Sequence, residues 1–109
     1  MKRGEVWWIN FDPSVGGEIR KKRPAVIVSD NVANRNLNRV QVIPLTSNIE
    51  RVYPAETLVT VDGKSSKAMA DQLTTVAKQR MLNRVGEPSP DDMGKIEVVM
   101  ALQLGLQLG

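Results

Sequence analysis

The stretch "RKKRPAVIVSDN", residues 20–31, decides how the rest of the chain is read. Its second half, "PAVIVSD", is a short continuous apolar run, the pattern of a central strand, with Pro24 expected at the first position, where a missing N–H is tolerated. Its first half drives four successive cations, Arg20, Lys21, Lys22 and Arg23, straight into that proline. A solvated charge run normally sits at a tail or on a helix face. This one is locked to a strand entrance, where backbone pairing holds its last side chain in a fixed direction. Fixed cations point to an anionic ligand; the structural alternative is a solvated loop.

Working outward, "GEVWWINFD" (residues 4–12) has the β-branched and aromatic density of a strand and ends at the turn signal Asp12-Pro13. Residues 13–23, with Gly16-Gly17 at their centre, read as a flexible loop or loose hairpin. Residues 31–39 hold four asparagines in nine positions and read as a polar loop. "VQVIPLT" (residues 40–46) is a strand expected to break at Pro44. A connection over residues 47–56 leads to "TLVTV", a strand closed by the tight "DGKS" turn. "SKAMADQLTTV" is ambiguous between helix and strand, and its two Thr with the neighbouring hairpin favour strand. "AKQRML" gives a short helical turn and "NRVGE" a short last strand.

The final segment carries a helix start: Ser89 as N-cap, Pro90 as first helical residue, Asp91 and Asp92 in the first turn. Ile96, Val99, Met100, Leu102, Leu104 and Leu106 form a stripe so wide that it calls for a sheet or a partner subunit to cover it. Fraying is expected near Gly105. Five to seven short strands and one amphipathic helix describe a small bent sheet or partly open barrel, mainly β with a C-terminal α-helix.

Composition bounds the chemistry. The 109 residues make one domain, with 41% hydrophobic and 25% charged residues, ordinary for a soluble globular chain. No apolar run approaches the roughly 20 residues that cross a bilayer, and no signal region follows the N-terminus, so a cytoplasmic protein without membrane association is expected. Cysteine and histidine are both absent. That excludes a disulfide framework, thiolate or imidazole metal sites and any Cys/His or Ser/His dyad, leaving Asp, Glu, Lys, Arg, Tyr, Ser or Thr for catalysis. No metal and no cofactor are expected. The net charge of +3 mildly favours a polyanionic partner over a merely soluble basic surface.

Three stretches carry a family resemblance. "KRGEVWWINFDPSVGGEIRKKRPAVIVSDN" is similar to the opening of the MazF/PemK family of toxin endoribonucleases, with its RGE/D strand, D-x-x-P-x-x-G-x-E loop, R-P-x-x-V-x strand and following Asn. "VIPLTSN" resembles the family's second signature and "DQLTTVAKQRMLNRVG" its third, in the same order along nearly the whole chain. The resemblance implies an SH3-like small barrel of the CcdB/MazF plasmid-toxin type with a C-terminal helix, a homodimer, and sequence-specific, metal-independent cleavage of single-stranded mRNA. It also implies a small acidic MazE-like antitoxin that blocks the site, with DNA reached only through the antitoxin complex.

Carried over by position, the family's catalytic Arg falls on Arg23, its catalytic Thr on Thr46 and an acidic residue on Asp71. The loop Glu falls on Glu18. Where some members carry an Arg two residues before the acid, this chain has Met69, so that position supplies no second arginine. Thr46 has the alternative of capping a turn, Asp71 that of a buried acceptor organising Arg23 or backbone amides, and Glu18 that of a base reader or antitoxin contact. Trp7 and Trp8 point to opposite faces of a strand, so at least one belongs to the core or a subunit interface, with stacking on a base as the lesser alternative. RNA is expected between loops around Gly17 and Ser47, attracted by Arg20, Lys21 and Lys22, with Glu18, Asn48, Gln72 and Gln79 as base-edge readers.

The chemistry suits these residues. Attack by the RNA's own 2′-hydroxyl needs a proton acceptor, stabilisation of the phosphorane and a proton for the departing 5′-oxygen, and the substrate supplies the nucleophile. A guanidinium gives bidentate donors to phosphate and stays charged, so Arg23 fits the second and third services and is a poor base. A carboxylate, Glu18 or Asp71, is the better base by pKa, and neither is assigned. From other classes the rivals are a CcdB-like non-enzymatic inhibitor of DNA gyrase and an RNA-binding barrel without turnover. The tail "LQLGLQLG" lacks the tryptophan-containing terminus of gyrase binders.

Overall fold

The computed structural model describes residues 1–11 and 22–107. Among them, seven antiparallel strands curl into one sheet: β1 Val6–Asn10, β2 Lys22–Ile27, β3 Arg39–Thr46, β4 Glu56–Val61, β5 Lys64–Met69, β6 Thr74–Ala77 and β7 Met81–Gly86. Their order is β4-β5-β3-β2-β1-β7, with β6 paired to β3 beyond β5. The ends of this path approach each other, since a Cβ built on Gly86 of β7 would lie 3.6 Å from Cγ1 of Val61 on β4. The result is the small SH3-like barrel expected, closed on one side by the helix α2, Pro90–Leu104.

The apolar run in β2 has no polar alternation because both faces are covered. Val26 packs with Val6, Ile43, Leu45, Val59 and Ile96 under α2. Ala25 and Ile27 point the other way, into a second cluster with Ile9, Val40, Val42, Val76 and Met81. β1 shows the same division. Val6 belongs to the first cluster, Ile9 and the half-buried Trp7 to the second, and Trp8 is left 39% exposed.

Both strand prolines are accommodated by gaps in the pairing. β2 begins at Lys22, two residues ahead of the expected start, and Pro24 lies opposite Trp8 before the first β2–β3 pair, Ala25↔Pro44. β3 does not break at Pro44. Its outer edge pairs with β6 up to Val42 and with β5 from Leu45, so Pro44 falls where no outer neighbour calls for an N–H.

The segment read as a polar loop contains the short helix α1, Asn31–Asn36, started by Asp30, whose carboxylate accepts from Val32 N at 2.9 Å. Asn34 is buried and donates to the Ser29 carbonyl at 2.9 Å. The asparagine-rich composition hid a capped turn of helix. The segment 66–76, read as strand, is strand at both ends with a 3-10 turn, Ala70–Gln72, between them. A second 3-10 turn, Lys78–Arg80, precedes β7. The β4–β5 hairpin turns on Asp62 (φ 52°) and Gly63 (φ 74°), the paired positive dihedrals that a two-residue Asp-Gly turn supplies.

In α2, Ser89 accepts from Asp92 N at 3.1 Å, and Gly105 caps the far end at φ 69°. The helix is held by Asp92 Oδ2 on Thr60 N (2.9 Å) and by Glu97 on Arg3 (2.9 Å). Its apolar stripe is only partly covered. Ile96, Val99 and Ala101 are buried, while Val98, Leu102, Leu104 and Leu106 remain exposed. No described helix is long and apolar enough to cross a membrane.

Candidate functional site

Two adjoining strands build the site. Carrying the β2–β3 register outward from Ala25↔Pro44 by two residues on each strand sets Arg23 opposite Thr46. Arg23 is held on its other side by pairing with Ile9. Together with Trp8, Lys22, Pro24, Leu45 and Ser47, these two residues line an open groove of about 360 Å³. Arg23 also borders a second hollow of about 220 Å³, lined by Phe11, Pro44, Gln72 and Thr74. It therefore stands on the ridge between the two.

Among the described residues, neither hollow is lined by a carboxylate and Arg23 has no ion pair. The Arg23 guanidinium and Lys22 together give this groove a positive charge among its described lining residues. The Thr46 Oγ1 accepts from Asn48 N at 3.3 Å, which fixes the hydroxyl and leaves its proton free to donate. The turn-capping reading of Thr46 and its place in the groove are thus both true.

The remaining candidates divide. Ser47 lines the groove. Gln72 lines the second hollow, with its amide 3.5 Å from Met69 Sδ. Asp71 is exposed, without a described hydrogen-bond or ion-pair partner, and borders neither hollow. The reading of it as a buried acceptor is therefore overturned: it sits on the outer side of the 3-10 turn that buries Ala70. Gln79 is exposed on the turn before β7 and lines neither hollow. Met69 is buried at the end of β5. Gly17, Glu18, Arg20 and Lys21 lie outside the described residues.

Trp8, for which stacking on a base is the lesser reading of the sequence, lines the groove, and a further hollow of about 180 Å³ continues from it past Pro24 and Leu45 toward Asp62 and Lys64. One feature was missed from sequence. A polar hollow of about 440 Å³ is lined by Asn48, Glu50, Arg51, Tyr53 and Lys67. The only signal for it was the dense mixture of charge and tyrosine in "SNIERVYPAE", read as a mere connection.

The small curled sheet with its C-terminal helix is the fold of solved MazF-type toxins. An endoribonuclease from Mycobacterial species, solved in complex with its cognate antitoxin, superposes at a TM-score of 0.82 with 28% identity over 100% of this chain and 99% of its own. A MazE-MazF structure from Deinococcus radiodurans gives 0.83 with 25% identity over 98% and 97%. In sequence, the endoribonuclease MazF9 of Mycobacterium tuberculosis is 36% identical over 115 residues, 97% of this chain and 98% of the relative. Residues 2–104 match the PemK-like, MazF-like toxin family of type II toxin-antitoxin systems. The chain belongs to that family.

Proposed function

We propose that the chain is a sequence-specific endoribonuclease that cuts single-stranded mRNA without a metal ion, by attack of the substrate's 2′-hydroxyl, and so arrests translation and growth. The observation that carries this reading is Arg23 set opposite Thr46 by the strand register, in a groove lined also by Lys22. Arg23 holds the scissile phosphate through paired donors, stabilises the phosphorane and protonates the leaving 5′-oxygen. Thr46, steadied by Asn48 N, donates its hydroxyl to a non-bridging oxygen. By pKa a carboxylate, Glu18 or Asp71, is a better base than Arg23, and the base is left unassigned. Products carry a 2′,3′-cyclic phosphate and a free 5′-hydroxyl. With no histidine or cysteine, the chain is poorly equipped to bind a metal that activates water.

Two partners accompany this activity. A second copy covers part of the apolar C-terminal helix, where Val98, Leu102 and Leu104 are exposed, or the adjacent strand surface. An acidic antitoxin, disordered alone, lies over residues 20–23, because cations that attract RNA attract carboxylates too. The complex works in the cytoplasm, and any contact with DNA is made by the antitoxin.

The test is incubation of the purified protein with a long mRNA in excess EDTA. Discrete fragments with 5′-hydroxyl ends are expected. Intact RNA together with inhibited gyrase supercoiling would favour the CcdB-like reading, and intact RNA with tight binding would favour a barrel without turnover.

A further inference from the structure

The polar hollow beside the groove is built more firmly than a surface loop requires. Its floor is Lys67, whose side chain is only 10% exposed. The ammonium is 3.2 Å from Glu56 Oε1, 2.8 Å from the Arg51 carbonyl and 5.9 Å from the centre of the Tyr53 ring. Glu56 Oε1 also accepts from Tyr53 N at 2.9 Å, and Asn48 Oδ1 accepts from Glu50 N at 3.3 Å. Both ends of the segment between β3 and β4 are thereby tied down. A buried ion pair adds little net stability over an apolar pair of the same size, so its use here is to fix the shape of the loop.

That shape presents unspent recognition groups. Tyr53 is 54% exposed, with the Lys67 ammonium 5.9 Å from its ring centre. Arg51 keeps most of its donors after a 3.4 Å contact with the Tyr53 hydroxyl. The Glu50 carboxylate has no ion pair among the described residues. The hollow also lies next to the chemistry: Lys67 is the cross-strand partner of Thr46, so the two side chains leave the same face of the sheet about 5 Å apart at Cβ.

We infer that this hollow is a guanine-reading subsite for the nucleotide beside the scissile phosphate. The inference rests on the reading of the Arg23–Thr46 groove as an RNA-cleaving site. The base stacks on Tyr53. Arg51 donates to O6 and N7, and Glu50 accepts from N1–H and the N2 amine, edges that single-stranded RNA leaves open. Of the four bases only guanine sets two adjacent acceptors beside two adjacent donors, the complement of a guanidinium next to a carboxylate.

The experiment is cleavage of a random-sequence single-stranded RNA pool by the full-length protein, with the new ends sequenced. Guanine is expected to be enriched about ten- to a hundredfold at one fixed position next to the cut. Glu50→Gln, Arg51→Ala and Tyr53→Ala should each erase most of that enrichment while preferences at the other positions persist. Glu50→Gln alters an exposed side chain without an ion-pair partner among the described residues, so it tests recognition without disturbing the fold. Cleavage without guanine at either flanking position, or enrichment that survives all three substitutions, overturns the subsite alone. No cleavage by the unaltered protein overturns the ribonuclease reading. In that case guanine enrichment in the RNA it retains on a filter, lost in Glu50→Gln, supports the subsite, and its absence rejects it.

Discussion

Replacing Lys67 by Met probes the loop clamp through stability. Lys67 and Glu56 are 10% and 9% exposed at the side chain and 3.2 Å apart, so the pair is close to fully desolvated. Removing one partner of such a pair destabilises by about 3–5 kcal/mol, because the other charge stays buried and unpaired. Glu56 keeps the Tyr53 N–H, while the Arg51 carbonyl loses its 2.8 Å donor. The lower end, about 3 kcal/mol, is therefore expected, a fall of roughly 12–24 °C in Tm at about 4–8 °C per kcal/mol. The double variant Lys67→Met/Glu56→Gln removes both charges and should recover about 2 kcal/mol relative to the sum of the singles. Urea unfolding followed by Trp7 and Trp8 fluorescence, at one fixed protein concentration because self-association shifts the midpoint, measures the cycle. A loss under about 1 kcal/mol for Lys67→Met, or strict additivity in the double variant, refutes the claim that this pair holds the loop.

Three further outcomes follow from the same structure. Arg23→Ala should lower cleavage by at least about a hundredfold and Thr46→Ala by about ten- to a thousandfold, with both proteins folded by circular dichroism. Burial alone would raise the Glu5 carboxyl, but the Lys2 N–H, Trp7 Nε1–H, the N-terminal amine and Arg84 outweigh it and hold it below its ordinary value. The folded state therefore gains stability from Glu5 above the ordinary carboxylate range and loses it as pH falls through the lowered value. Urea midpoints should then show a flatter acid limb in Glu5→Gln, with lower stability than the unaltered protein near neutral pH. Ile96→Ala, at the fully buried centre of α2, should cost about 2–5 kcal/mol, read as a lower urea midpoint with unchanged slope.

The sequence announced those features that depend on local rules. The Asp-Gly hairpin and the Ser89-Pro90 helix start each rest on a few neighbouring residues and stand in the structure, while the end expected to fray near Gly105 is closed by a left-handed glycine cap. It concealed features set by distant neighbours. Pro44 looks like a strand breaker until β5 and β6 are seen to leave it a gap. The asparagines of α1 look like loop until Ser29 and Lys78 are seen to engage Asn34. The Arg23–Thr46 pair was legible through the family resemblance, and its cause is the register of two strands 23 positions apart in the chain. Of the polar hollow only Asn48 and the charged, tyrosine-bearing segment 47–56 were visible, since Lys67 comes from a strand whose pairing with β3 nothing local encodes.

The most direct test of the central claim is the cleavage rate of an RNA carrying a single deoxyribose immediately 5′ to the scissile phosphate. If the 2′-oxygen is the nucleophile, this substrate binds Arg23 and Thr46 nearly as well as the normal RNA and remains uncut, in EDTA and in magnesium alike. Cutting at the normal rate would mean that water or a protein group attacks, and the mechanism built on Arg23 and Thr46 would be wrong.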